Sequence, residues 1–98
     1  MELLPPEVRE TIPALYSQEH EVDPIVRVKF FTPWSNWTWY VLECGDKDGD
    51  VLFFGHVKGH EGELGYFLLS ELESIEGPHG LKIERDLYFE PAPLSTFT

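Results

Sequence analysis

Three aspartates at alternate positions, Asp46, Asp48 and Asp50, offer the side chains with which a loop binds calcium. A calcium loop also needs glycine at its sixth position and a carboxylate at its twelfth, and counted from Asp46 those positions hold Val51 and Val57. The Asp and Gly content suits a solvated hairpin turn instead. His56 and His60, with Glu61 and Glu63 following, raise the question of zinc. On a helix their spacing brings two imidazoles together. On a strand rising ~3.3 Å per residue it holds them about 13 Å apart, and no third ligand has a recognisable spacing. No metal and no other cofactor is expected.

Catalytic patterns are absent from the chain: it has no Gly-x-Ser-x-Gly elbow, no phosphate-binding glycine-rich loop and no His-Glu-x-x-His. Glu61/Glu63 and Glu71/Glu73 are the pairs on which carboxylate chemistry would rest, and a small enzyme of that kind is one alternative. Solvated faces account for both pairs more simply. Cys44 stands beside Glu43 and two residues before Asp46, and nearby carboxylates disfavour a thiolate, so a packing role is expected.

The most distinctive feature is aromatic. Phe30, Phe31, Trp34, Trp37, Trp39 and Tyr40 fall close together, followed by Phe53, Phe54, Tyr66 and Phe67. From Pro24 to Leu42 there is no acidic residue, only Arg27 and Lys29; from Val51 to His60 there is again none. Alternation puts Arg27, Lys29 and Phe31 on one strand face, an aromatic and cationic platform inside an acidic frame. The candidate interaction surface is therefore Arg27, Lys29, Phe31, Trp34, Trp37 and Trp39 on the platform, with Asp46, Asp48, Asp50, Glu61 and Glu63 on the frame.

Strands must carry these residues. From Ile25 to Phe31 apolar and polar positions alternate, Trp37–Leu42 is rich in types that suit pleated surfaces, and Val51–Lys58 and Leu64–Leu69 follow. Asp48-Gly49 is a hairpin signal between the second and third of them. Pro5 to Ile12 predicts a short helix ended by Pro13, and Ser70-Glu71-Leu72-Glu73 reads as a capping box opening a second one. Residues 83–89 hold a last short extended segment. The expected fold is α+β: a small antiparallel sheet of about four strands in meander order, with a short N-terminal helix and a post-sheet helix packed on it. Both parities of Trp37–Leu42 are apolar, so either both faces are covered, with Leu87-Tyr88-Phe89 available as cover, or one is a contact surface.

The chain has 98 residues, which suits one domain, since separate cores arise only above ~250 residues. Its 18 Asp and Glu against 7 Lys and Arg give a net charge of -11, which argues against coating duplex DNA. With 42% hydrophobic residues that charge does not signal disorder. The single cysteine excludes an internal disulfide, which points to a reducing cytoplasm. No stretch approaches the ~20 apolar residues of a membrane span, and Met1-Glu2-Leu3-Leu4-Pro5-Pro6 lacks the features of a signal peptide, so no membrane role is expected.

Val28-Lys29-Phe30-Phe31-Thr32-Pro33, Ser35 to Tyr40, Glu63 to Phe67 with Leu69 to Glu73, and Ile83 to Phe89 together resemble a bacterial family of short proteins, about 100 residues long, classed only as a domain of unknown function. The resemblance covers nearly the whole chain. It implies a setting in plasmids, conjugative elements and phage-related DNA, where similar domains accompany antirestriction-type modules. It implies no catalytic or ligand residues.

The expectation is a non-enzymatic interaction protein whose acids stand in for DNA phosphates and which binds or inhibits a nucleic-acid-handling protein, since a strong field speeds association with basic partners. The alternative is a single-stranded nucleic-acid module that stacks bases on Trp37, Trp39 or Phe31, with Arg27 and Lys29 at the backbone. A homodimer through a sheet edge or aromatic face is a further option.

Overall fold

A computed structural model describes residues 1–98. A short helix α1 (Pro6–Arg9) leads into β1 (Ile25–Val26) and β2 (Val28–Phe31). Three long strands follow, β3 (Thr38–Lys47), β4 (Asp50–Lys58) and β5 (Gly62–Leu68), then α2 (Leu69–Ser74), β6 (Glu84–Arg85) and β7 (Ala92–Pro93). Short 3₁₀ turns occupy Pro78–Gly80 and Leu94–Thr96. Strands β2 to β6 form one antiparallel sheet in the order β5-β4-β3-β2-β6, while β1 pairs with β7 in a separate ribbon.

The α+β expectation holds, with two corrections. The main sheet has five strands and not four, and only β2 to β5 follow the meander. Strand β6 returns to flank β2, where it pairs backbone groups that an open edge would leave free. The expected strand from Ile25 is also divided. Arg27 interrupts it, its N–H donating to the Val41 carbonyl at 2.9 Å while β1 turns away to pair with β7.

The Asp-Gly signal is obeyed. Asp48 and Gly49 both take positive φ, 49° and 81°, the backbone a tight hairpin between β3 and β4 requires. The turn is shorter than expected, because β3 continues through Lys47 and β4 begins at Asp50. Ser70 does not cap α2. That helix starts at Leu69, and the Glu71 carboxylate accepts the Leu68 N–H at 2.8 Å, half of a capping box set two residues early. Ser70 turns instead to Asp50. Helix α1 is likewise one turn shorter than expected, ending at Arg9.

Both faces of the sheet are covered. Alternation along β3 sends Trp39 and Val41 to one side and Tyr40 and Leu42 to the other. The first side is the larger core, in which Val28, Phe30, Phe53 and Phe67 meet Leu3 and Ile12 from the N-terminal segment and Leu72 from α2. Phe53 packs edge-on to Phe30 and stacks on Phe67, with ring centres 5.6 and 5.4 Å away. Burying each such ring stabilises the fold by roughly 2–3 kcal/mol. On the second side Val26, Tyr40 and Leu42 lie under Phe89, Leu94 and Phe97, and Tyr40 stacks on Phe97 at 4.9 Å. Of the expected cover only Phe89 serves; Leu87 and Tyr88 point to solvent, and the final residues take their place.

A bulge in β3 shifts the register from Val41↔Gly55 to Glu43↔Phe54. Leu42 is the unpaired extra residue, and the run Trp39–Cys44 is buried without a break. That run includes one carboxylate, Glu43. No helix is long and apolar enough to cross a membrane.

Candidate functional site

The C-terminal cover spans only part of the second face. Over the β4 and β5 half the chain passes as a strap, residues 16–24, and leaves a groove of about 340 Å³. The groove is lined by Tyr16, Glu19 and Glu21 of the strap, Leu64 and Tyr66 of β5, and Glu43 of β3. Tyr66 stacks obliquely on Phe54 with ring centres 4.9 Å apart. Strand β5 is the sheet's outer edge, so this groove runs beside unpaired backbone.

Glu43 is only 3% exposed, and its two oxygens accept the N–H groups of Tyr16 (2.9 Å) and Gln18 (2.8 Å). A buried carboxylate must be hydrogen-bonded, and here the bonds also fix the strap. Loss of water, Tyr16 and Glu43 together push the Tyr66 phenol above its ordinary pKa. Leu64 and Tyr66 stay 54% and 53% exposed, so the groove has apolar walls open to solvent. Its lining holds three carboxylates and no lysine or arginine.

A family model spans this arrangement from Leu3 in the core to the last residue, covering residues 3–98. The chain belongs to the DUF2958 family. That family is described as proteins of unknown function. No curated protein and no solved structure matches the chain.

In this DUF2958 chain the residues singled out from sequence do not converge on one surface. Lys29 and Phe31 are neighbours, the ammonium 5.8 Å from the ring centre, and Lys29 also faces Asp86 at 3.6 Å. Arg27 lies elsewhere, in a cleft with Arg85. The tryptophans form a cluster beside Ile75. Trp39 is buried, Trp34 is half-buried against Gly77, and Trp37 is 40% exposed, stacked on Trp39 at 6.2 Å and edge-on to His60 at 6.1 Å. Gly59 lies so close beneath Trp37 that an added Cβ would fall 2.7 Å from the ring.

Among the acids, Asp46 pairs with Arg9 at 2.7 Å, which raises the guanidinium pKa and ties α1 to β3. Asp50 holds Ser70, and Asp48 occupies the hairpin turn. Glu61 and Glu63 are exposed, Glu63 opposite Val57 on the edge strand. No three His, Cys, Asp or Glu side chains gather closely enough to hold a metal ion. His56 packs beside Tyr40, and burial with nearby Lys58 lowers its pKa.

Sequence reading left Tyr16, Glu43, Leu64 and Tyr66 out of its candidate surface, although Tyr66 stood in the aromatic set. One signal was present: Glu43 directly follows the apolar run Trp39–Leu42. An acid continuing a buried strand needs donors from elsewhere in the chain, and the strap supplies them.

Proposed function

We propose that this protein is a small acidic interaction module, without catalytic chemistry of its own, that binds a basic segment of a nucleic-acid-handling protein. Plasmids, conjugative elements and phage-related DNA are the setting, and antirestriction is the class of action. The observation that carries this reading is the groove, in which Glu19, Glu21 and Glu43 meet the aromatic walls of Tyr16 and Tyr66 with no cation present. Aromatic faces and carboxylates together favour lysine and arginine side chains. The net charge of -11 adds long-range attraction to a basic partner and repulsion of nucleic acid itself.

The test is retention of nuclease-treated bacterial lysate proteins on the immobilised chain, compared with Tyr66→Ala and with the Glu19→Gln/Glu21→Gln pair. A nucleic-acid-handling protein released by salt and lost with the groove variants supports the reading. Retention indifferent to those variants, or none, overturns it.

A second reading is favoured by Trp37, which stays 40% exposed beside Trp39 and His60 and so keeps aromatic surface in reach of a base. Titrating single-stranded oligonucleotide at low salt separates the two. Quenching of tryptophan emission that Trp37→Ala abolishes favours the nucleic-acid module, and unchanged emission dismisses it.

A further inference from the structure

Arg27 and Arg85 line one cleft of about 240 Å³, remote in sequence but brought together because β6 returns to β2. The Nε of each guanidinium is shut off from water and has no hydrogen-bond partner. The chain contains two ion pairs, Arg9–Asp46 and Lys29–Asp86, so neither arginine has a carboxylate within ion-pair reach. That is unexpected in a chain with 18 acids and 7 cations.

Two acids do border the cleft, Glu7 and Asp86. Asp86 is already engaged, one oxygen 3.6 Å from the Lys29 ammonium and the other accepting the Tyr88 N–H at 3.0 Å. Glu7 stands exposed in the first turn of α1, on the rim. A guanidinium stays ionised throughout the physiological range and presents a rigid fork of donors. Two like charges held in one cleft, their terminal guanidinium nitrogens in no ion pair within the chain, form an arrangement that an external anion completes.

We propose that the Arg27–Arg85 cleft binds an oxyanion, the phosphate or carboxylate group of a ligand. This site uses none of the groove residues and stands or falls separately from the reading above. Lys29, outside the cleft, offsets the negative charge of Asp86 on its border.

The test follows the Nε–Hε resonances of both arginines by NMR while inorganic phosphate, and separately acetate, is added at an ionic strength held constant with sodium chloride. Saturable shifts at both resonances support the site, and the tighter-binding anion identifies the source. Arg27→Gln and Arg85→Gln each weaken binding about tenfold or more. Arg27→Lys keeps the charge but removes the fork, and also weakens it. Glu7→Gln removes negative charge from the rim and tightens it. Amide spectra of every variant report whether the fold is retained. A response no different from that to sodium chloride, or shifts that survive the arginine substitutions in a folded chain, overturns the proposal.

Discussion

The Asp50 carboxylate accepts both the hydroxyl and the backbone N–H of Ser70, twenty residues further along the chain. One aspartate at the start of β4 thus caps the first turn of α2 from outside the helix. Its remaining acceptor capacity takes the Val51 N–H at 2.8 Å. Asp23 repeats the device at the C-terminus, accepting the N–H (2.9 Å) and hydroxyl (2.6 Å) of Ser95 at the 3₁₀ turn Leu94–Thr96. Glu43 does the same for the strap. Each of the three segments that cover the sheet after α1 is therefore held by a carboxylate.

Ser70→Ala removes the hydroxyl while keeping the backbone donor. Loss of such a cap lowers the thermal midpoint of a domain this size by about 4 °C, read by circular dichroism at neutral pH. Asp50→Asn, which loses the charge at the helix start as well, lowers it further.

Acid weakens the two aspartate clamps. Hydrogen bonds from Ser70 and Ser95 hold the Asp50 and Asp23 carboxyls below their unfolded pKa of 3.8. A depressed folded pKa means the unfolded chain binds the proton first. The stabilisation is thus complete above that unfolded value and is lost as pH falls from it through the folded pKa. The midpoint difference between the wild-type chain and Asp50→Asn shrinks over that window, and a difference unchanged down to pH ~2 would refute the assignment.

Glu43→Gln replaces one acceptor oxygen with an amide donor that faces a backbone N–H. One strap N–H then loses its partner in a buried setting, at a cost of about 2 kcal/mol. Urea denaturation reads the loss. Hydrogen exchange at Tyr16 and Gln18 accelerates before the rest of the sheet is affected.

Gly55 faces the backbone of Val41 across the β3–β4 pair, and a Cβ there would fall 2.1 Å from the Tyr40 carbonyl oxygen. Backbone cannot move aside as a side-chain tip can. Gly55→Ala costs about 3 kcal/mol, a large share of the ~5–15 kcal/mol that holds a domain together, and lowers the urea midpoint accordingly.

Burial pushes the Cys44 thiol above its ordinary pKa of 9.0, and its place in the larger core shields it. At pH ~7 the folded chain leaves a thiol-reactive dye uncoupled, and adding urea releases one equivalent of reactive thiol. Rapid labelling of the native chain would show that the thiol is not part of the core.

Local patterns carried most of the elements. The alternation after Ile25 marked β2, Val51–Lys58 and Leu64–Leu69 marked β4 and β5 to within two residues, and Trp37–Leu42 marked only the first half of β3, which runs on to Lys47. Asp48-Gly49 marked their first hairpin. The misplaced cap at Ser70 shows where such reading stops, because its signal depended on the next few residues while its true partner, Asp50, lay on another strand. The platform of Arg27, Lys29 and Phe31 failed as one surface for a similar reason. Alternation requires an unbroken strand, and the pairing of β1 with β7 breaks it at Arg27.

By itself the amino-acid order determined what is short in range: strand periodicity, the hairpin glycine, and the acid-free stretches Pro24–Leu42 and Val51–His60. The groove and the arginine cleft were decided by tertiary structure alone. Glu43 finds its donors in a strap more than twenty residues earlier, and Arg85 reaches the vicinity of Arg27 only because β6 takes the open edge of β2. A buried carboxylate or guanidinium is defined by the partners that folding brings or withholds, and no local spacing records them.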